Sequence, residues 1–415
     1  MSRGFNWPAR ITLAVLFFTW GTVSVLIRTV TPHFKVAFDL SYRDALLLQF
    51  AFFLAYLVLS RTAGRITARM GFRSACMLGL MLMAAGSASL ALSTLTHQFL
   101  ALLPSVFVLA SGVTFLQVAA NPLAAAMGGS RSAASNLTFV QGFNALGTVA
   151  APFIASIAFL GSLQVGETMD LSPIRNLMLG VAVALLALCL IARKAFSAQP
   201  ITEAPPEAGG DRPLDAYARR RLVAGTLAIF AYVGAEVSIA AVLINLLEED
   251  GILSLTRDQS GPLTALFWGG ALVGRFMGAP ILMRAPRGQV LAATALVAMA
   301  LSLVGLFGAG LAAGVCLLAI GLFNAVQFPT IFAIASSDLK PSARAKASGW
   351  LCTGIIGGGL VPLVFGAIAD SAGLQTALIV PALCYAYVAA YGWCYGDQGA
   401  IATRNNEAAA PSKAI

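Results

Sequence analysis

The sequence predicts an all-α polytopic membrane protein with twelve transmembrane helices, arranged as two six-helix pseudo-repeats. Three observations lead to this prediction: the composition, the length of the apolar stretches and the distribution of the basic residues. Of the 415 residues, 59% are hydrophobic and only 10% are charged, and the mean hydropathy is +0.84. Because soluble domains carry about 25% charged residues, we expect lipid to surround most of the chain.

Twelve apolar stretches are long enough to cross a bilayer as helices, which takes about 20 residues each. Their length, and the lack of short alternating segments, favour helices over strands. The predicted spans are residues 11–31, 44–62, 72–93, 97–126, 136–161, 174–194, 222–247, 260–282, 288–308, 310–336, 343–369 and 374–396. The first stretch has no small-residue cleavage site, so we interpret it as a span and not as a removed signal peptide.

The basic residues predict the orientation. With the N-terminus in the cytoplasm, 21 of the 26 Lys and Arg residues fall in cytoplasmic segments and four fall in outer loops. Cytoplasmic loops of membrane proteins carry such an excess. We therefore expect both termini to be cytoplasmic and the protein to lie in a membrane such as the bacterial inner membrane. The net charge of +9 then reflects orientation and does not indicate nucleic-acid binding.

An internal repeat emerges when the sequence is shifted by about 210 residues against itself. The aligned pairs are Gly64-Arg65 with Gly274-Arg275, Gln117 with Gln327, Gly147 with Gly357, and Pro152 with Pro362. The polar, proline-rich segment between the sixth and seventh spans would join the two copies. We therefore predict an N-terminal half (1–195), a cytoplasmic linker (196–220), a C-terminal half (221–396) and a cytoplasmic tail (397–415).

Several motifs resemble those of one transporter family. Gly64–Arg73 is similar to the loop between helices two and three of the major facilitator superfamily, with Ala68 in place of its usual Asp. More specific matches are Phe17–Gly21, Gln49–Phe53, Leu116–Pro122, Gln141–Gly147, Tyr232–Ser238, Gln327–Phe332 and Ile355–Gly359. Over residues 11–396 the chain resembles the fucose–galactose–glucose:proton symporter family, near the fucose and N-acetylglucosamine permeases.

This resemblance implies a monomer without a cofactor, whose substrate site lies between the halves near the membrane midplane. It also implies alternating access driven by protons. Two departures bear on the coupling. The fucose symporter carries acids on helices one and four, both tied to proton coupling, and this chain has Arg28 and Gln117 there. Neither the substrate nor the coupling can therefore be carried over directly.

Candidate substrate-binding residues are amides and tryptophans on the helices that line the cavity in this superfamily. Amides supply donors and acceptors together, and indole faces can stack on a sugar ring. The candidates are Gln117, Asn121, Gln141, Asn144, Asn324, Gln327, Trp20 and Trp268. Gln141 and Asn144 lie three residues apart on one helix face and match substrate-contacting positions of the family. Interhelical hydrogen bonding is the alternative for all the amides, and we interpret Gln49 as a packing residue.

Candidate coupling and gating residues are charged. Glu236 is the acid that lies well inside a predicted span, and a low-dielectric site disfavours its charged form, so it could carry the coupled proton or be a permanently paired carboxylate. Arg28 could snorkel to the outer headgroups, approach Glu236, or bind an anionic substrate. Arg65, Arg69 and Arg275 are expected in cytoplasmic loops that latch the closed gate.

Three functions are consistent with the sequence. The first is a proton-linked transporter of a hexose or N-acetylhexosamine. The second is a transporter or exporter of an anionic sugar or another organic acid, with Arg28 as the anchor. The third is a receptor with the same fold that does not transport. We expect no enzyme, because no HExxH, GxSxG or Walker A motif is present. The six cysteines form no CxxC pair, and we expect no metal site.

Overall fold

The computed structural model describes residues 7–40, 42–96, 98–127, 132–159, 170–197 and 214–396. These residues are almost entirely helical, as the satisfaction of backbone groups in lipid requires. The α-helices among them are α1 Trp7–Ala37, α2 Tyr42–Ser93, α3 Phe99–Ala125, α4 Ala133–Phe159, α5 Ser172–Ser197, α6 Ala216–Glu248, α7 Arg257–Arg284, α8 Arg287–Phe307, α9 Gly310–Asn324, α10 Gln327–Ala335, α11 Pro341–Thr353, α12 Gly357–Ala372 and α13 Ile379–Tyr395.

Helix α2 contains two membrane crossings. Its 52 residues would extend about 78 Å as one straight helix, far more than the roughly 30 Å of a bilayer core. The chain turns at Gly71, whose φ of 84° is a conformation that glycine adopts without strain. Eleven helical stretches of the described residues are long and apolar enough to cross a membrane. With α2 crossing twice, they account for the twelve predicted spans.

Two of these crossings are interrupted helices. The stretch Gly310–Ala335 is divided into α9 and α10 by a turn, and the stretch Pro341–Ala372 is divided into α11 and α12 by one turn of 3₁₀ helix at Gly354–Ile356. Both belong to the second half of the chain.

The helix ends differ from the predicted linker boundaries. Helix α5 continues to Ser197, and α6 begins at Ala216, five residues before the predicted start of the C-terminal half. The early start has a local cause, since the carboxylate of Asp215 accepts a hydrogen bond from the backbone N–H of Ala218 at 2.6 Å and caps the helix. Residues 198–213 of the linker, and the tail from 397 onward, lie outside the described residues.

The two halves repeat the same close helix contact. Gly147 of α4 lies against the backbone oxygen of Phe18 in α1, and Gly357 of α12 lies against the backbone oxygen of Phe230 in α6. In both places a Cβ atom would collide with the backbone of the facing helix. Small residues allow such close approach in membrane helices. The pairing of Gly147 with Gly357 in the sequence alignment therefore corresponds to equivalent positions in space.

Gly64 and Gly274, which the sequence alignment pairs, meet different neighbours in the structure. Gly64 of α2 faces Ala345 of the other half, whereas Gly274 faces Leu322 of its own half. Gly278, one turn later, lies closest to Val326 of its own half, with Thr138 of α4 farther away. The close contact that Gly64 makes with the other half is therefore not repeated at Gly274.

Two helix pairs form the largest contacts between the halves. We call the contact of α2 with α11 the first seam and the contact of α4 with α7 the second seam. We call the end of the bundle where α1 begins the start face, and the opposite end the far face. The seams hold the halves together near the start face. There, Ser348 donates a hydrogen bond to the backbone oxygen of Val118 at 2.8 Å, and Ser135 donates one to that of Ala279 at 2.7 Å.

The apolar cores indicate that the halves separate toward the far face. One core cluster combines residues of both halves, including Leu137 and Phe332. A second cluster fills the far-face part of the second half alone, around Leu243, Phe267 and Leu317. A core that stops at the boundary between the halves leaves room for a cavity open to the far face.

Candidate functional site

A cavity of about 190 Å³ lies between the two halves. Helices α1, α2, α3, α4, α6 and α7 contribute to its wall, so both halves take part. Its lining residues among those described are Trp20, Gly21, Ser24, Ile27, Arg28, Thr31, Gln49, Phe52, Phe53, Tyr56, Gln117, Asn144, Ala145, Thr148, Glu236, Val237, Trp268, Ala271, Arg275 and Ile355. The wall thus combines aromatic rings, amides, hydroxyls and three charged side chains.

Helix α1 presents one face to this cavity. Trp20, Ser24, Arg28 and Thr31 recur every three to four residues, which places them in one row along the helix. Arg28 is exposed, and because it lines the cavity, its exposed surface is available to the cavity's contents. Of the alternatives for Arg28, this position favours a role in the cavity over an anchor at the headgroups.

Gln117 belongs to a polar wall that also contains a tyrosine which sequence reasoning missed. The amide nitrogen of Gln117 donates to the hydroxyl oxygen of Tyr56 in α2 at 2.7 Å. Gln49 also lines the cavity, so its interpretation as a packing residue is wrong. A signal was present, because Gln49, Phe53 and Tyr56 follow helical spacing and form one polar and aromatic face of α2.

Asn144 and Arg275 connect the two halves at the floor of the cavity. The guanidinium of Arg275 in α7 donates to the backbone oxygen of Gln141 at 3.0 Å and, at 3.5 Å, to the side-chain oxygen of Asn144. Asn144 in turn donates to the backbone oxygen of Phe17 in α1 at 3.3 Å. Arg275 was expected in a cytoplasmic loop, but α7 continues nine residues beyond it, to Arg284, and it lines the cavity.

Glu236 is the one carboxyl group among the described residues that line the cavity. It is half-buried, and the hydroxyl of Tyr232, one turn earlier in α6, donates to its Oε1 atom at 2.8 Å. Arg275 acts on it electrostatically, and Arg28 does so more weakly. Within the described part of the chain, neither arginine forms an ion pair with it inside 4 Å. Glu236 therefore has a hydrogen-bond partner in Tyr232, feels two cations, and is ion-paired with neither of them.

The two predicted tryptophans line the cavity from opposite halves. Trp20 is only 3% exposed and packs against Phe17, with ring centroids 4.0 Å apart. Trp268 is half-buried and meets Phe267 edge-on, which leaves more of the Trp268 ring available to a ligand. Phe52 and Phe53 extend this aromatic surface on α2.

Four predicted amides do not line the cavity. Asn121 and Asn324 are fully buried, and the side chain of Gln141 is 6% exposed. Gln327 is also fully buried, and it donates to the backbone oxygen of Phe323 at 3.3 Å and to the side chain of Asn324 at 3.4 Å. The break between α9 and α10 exposes backbone acceptors that amides can satisfy, a local demand that the sequence pattern does not reveal.

The two remaining arginines do not line the cavity. Arg65 and Arg69 are exposed and lie in α2 close to the Gly71 turn, at the start face. Both lie in helical backbone and not in a loop, which corrects their expected place. A latch partner for either is not among the contacts of the described residues. No group of three or more His, Cys, Asp or Glu side chains that could hold a metal occurs in the described residues.

Known transporters resemble this chain in sequence along nearly its whole length. The chain is 38% identical to the glucose/galactose transporter of Brucella abortus over 387 residues, which cover 92% of this chain and 93% of that protein. It is 30% identical to the L-fucose–proton symporter of Escherichia coli over 413 residues, covering 93% and 92% of the two chains.

The fold also matches a solved structure. The crystal structure of the transporter FucP in the outward conformation superposes with a TM-score of 0.80 at 27% identity, covering 94% of this chain and 99% of that chain. The model of the Major Facilitator Superfamily matches residues 11–354. These findings confirm the predicted family, the all-helical fold and the prediction that the protein is a transporter and not an enzyme. The chain belongs to the major facilitator superfamily.

Proposed function

We propose that this protein is a proton-coupled secondary transporter of a small sugar, a hexose or an N-acetylhexosamine, which works by alternating access. The observation that carries the proposal is the cavity between the halves, where amides, aromatic rings and one carboxyl group meet. The names of the relatives, a glucose/galactose transporter and an L-fucose–proton symporter, support both the sugar and the proton.

The lining has the chemistry that sugar recognition requires. Each sugar hydroxyl can donate and accept, and the amides of Gln49, Gln117 and Asn144 offer both functions. The exposed part of the Trp268 ring offers an apolar face for the C–H side of a pyranose. A binding site that is mainly apolar with a few placed polar groups is typical of small-molecule sites.

Glu236 is the group that we assign to the coupled proton. While it is ionised, it attracts Arg275 and Arg28. When it takes up a proton, this attraction to both cations disappears. Because Arg275 also holds Gln141 and Asn144 of the other half, protonation of Glu236 would loosen or tighten the second seam. Proton binding and the change of the seam are thereby linked.

The orientation, environment and domain plan are further parts of the proposal. The bias of Lys and Arg supports cytoplasmic termini, so that the start face is cytoplasmic and the cavity opens to the outside. We place the protein as a monomer in the lipid bilayer of a bacterial inner membrane. The two six-helix halves, 1–195 and 221–396, would move as units joined by the cytoplasmic linker.

Transport assays with the purified protein in liposomes test this proposal. We expect exchange of labelled glucose, galactose or N-acetylglucosamine with internal sugar, and accumulation when the outside is made acidic. Glu236→Gln should keep exchange and lose accumulation driven by the pH gradient. Glu248→Gln is the matched control, since Glu248 lies on the same helix, accepts a hydrogen bond from Ser260 and does not line the cavity.

Two results would contradict the proposal. Wild-type protein that exchanges none of these sugars would exclude the sugar assignment. Wild-type protein that exchanges sugar with no response to a pH gradient, or Glu236→Gln protein with full accumulation, would exclude the coupling assignment.

A further inference from the structure

The charges of the cavity point to a more specific substrate class. We propose that the preferred sugar carries one carboxylate group, as hexuronates and hexonates do, and that Arg28 binds this group. The inference rests on the proposed function, since it assigns the substrate of the same cavity.

The lining carries an excess of positive charge. Three charged side chains line the cavity among the described residues, Arg28, Arg275 and Glu236. With Glu236 ionised, one positive charge is uncompensated. Charged side chains within a membrane are costly and are usually paired. A monoanionic ligand would neutralise the site, whereas a neutral sugar would leave the charge in place.

Arg28 is the cation with free binding capacity. Arg275 already donates to the backbone oxygen of Gln141 and to the side chain of Asn144. Glu236 accepts from Tyr232, and Arg275 acts on it more strongly than Arg28 does. Within the described residues, Arg28 forms no hydrogen bond and no ion pair inside 4 Å. Arg28 is an exposed residue of the cavity wall and can therefore reach a ligand there.

The neighbours of Arg28 suit a carboxylate. A guanidinium binds a carboxylate through two parallel hydrogen bonds, which are stronger than bonds between neutral groups. Ser24 lies one turn earlier on the same face of α1 and lines the cavity, and its hydroxyl has no hydrogen-bond partner among the described residues. Gln49 on α2 likewise offers an amide donor to the cavity. Arg28 and Ser24 together could hold both carboxylate oxygens while the ring reaches the Trp268 side.

Exchange assays in liposomes test the assignment. Labelled glucuronate and labelled glucose are offered to wild-type protein, and unlabelled glucuronate is tested as a competitor of glucose. We expect glucuronate to half-saturate at a concentration about tenfold or more below that of glucose, the size of one charge-assisted contact. Arg28→Gln should remove this preference, so that the ratio of the two half-saturation concentrations, measured within the variant, falls to about one. Arg28→Lys, which keeps the charge, should retain part of it.

Controls separate the possible failures. Arg193→Gln removes an exposed arginine at the end of α5, outside the cavity, and should leave both exchanges unchanged. Thermal unfolding and gel filtration check that each variant is folded. If glucose is exchanged and glucuronate neither exchanges nor competes, this inference is overturned and the proposed function stands. If none of the neutral sugars is exchanged, the proposed function itself fails. Unchanged glucuronate preference in Arg28→Gln would overturn the role of Arg28.

Discussion

The two seams that join the halves occupy equivalent places in the repeat but are built from different chemistry. In the first seam, Gly64 and Gly349 bring two backbones together, and the guanidinium of Arg61 lies over the Trp350 ring at 3.9 Å. In the second seam, Phe276 of α7 packs edge-on between two aromatic rings of α4, at 5.8 and 5.9 Å.

The two seams also differ in the burial and the contacts of their arginines, Arg61 and Arg275. Arg61 is exposed and stacks on the exposed ring of Trp350, a contact worth about 0.5–1 kcal/mol. Arg275 is half-buried, donates to Gln141 and Asn144, and responds to the charge of Glu236. We infer that the first seam is a passive hinge held by shape, and that the second seam transmits the state of the cavity. Substitutions in the two seams should therefore have different signatures.

The largest effect is expected from Gly64→Leu in the first seam. A Cβ at this position would lie 2.9 Å from the backbone oxygen of Ala345 and 3.0 Å from the Cα of Gly349. Since backbone atoms cannot easily move, overpacking should cost about 3 kcal/mol and hold the start face open, reducing transport roughly 100-fold. The distance between spin labels at the exposed residues Thr62 and Lys346 measures the opening.

Gly180→Leu is the control for this prediction, because a Cβ at Gly180 meets nothing within 4 Å. It should behave as wild type. An unchanged label distance in Gly64→Leu would contradict the shape-based account of the first seam.

The second largest effect is expected from Arg275→Gln in the second seam. Loss of charge-assisted hydrogen bonds should cost about 2 kcal/mol, or roughly 30-fold in transport. Unlike Gly64→Leu, this variant should also alter the response to a pH gradient, since Glu236 loses the cation that acts on it most strongly. The measurement is sugar accumulation as a function of the imposed gradient. A proportional loss at every gradient would mean that Arg275 only holds the seam.

Intermediate and equal effects are expected from removing one of two hydroxyls that bond across the halves. Ser135 lies in the second seam, and Ser348 lies beside the first seam, where α11 meets α3. Ser135→Ala and Ser348→Ala each delete one buried hydrogen bond to a backbone oxygen, at a cost of about 1 kcal/mol. In each variant, the ratio of molecules with an open start face to molecules with a closed one should rise roughly fivefold, as measured by the label distances. Ser302→Ala, whose hydroxyl bonds within its own helix at 2.8 Å, is the control and should shift neither.

The smallest effect is expected from Arg61→Gln. Its exposed stacking on Trp350 should contribute about 0.5–1 kcal/mol, so transport should fall by about two- to fivefold. The dependence on a pH gradient should stay as in wild type. A loss comparable to that of Arg275→Gln would show that the two arginines act alike and would remove the proposed division of labour.

The candidate site was predictable where a polar residue interrupts an apolar helix. Arg28, Gln117, Asn144 and Glu236 were identified this way, and all line the cavity. The same rule failed for Asn121, since a buried amide can serve packing as well as binding. Which of the two roles a buried amide has depends on the helix that packs against it. The residue pattern of a single span does not reveal that helix.

Tyr56 and Arg275 show the other limit. Tyr56 lies on an apolar helix and becomes part of the site because Gln117 of a different helix meets it. Arg275 was assigned to a loop because basic residues cluster near that end of α7, yet the helix extends to Arg284. One or two turns of helix move a side chain by several ångströms along the membrane normal, enough to exchange a gate position for a cavity position.

By itself, the sequence determined that the chain spans a membrane as helices, that it is built from two related halves, and which family it belongs to. An apolar stretch of some 20 residues and recurrent glycines are local properties, so they can be read directly from the sequence. Only the tertiary structure decided which polar groups share one cavity and which cation remains unpaired, because these depend on the rotation and depth of helices from both halves. Arg28 lines the cavity without an ion-pair partner among the described residues because of that arrangement.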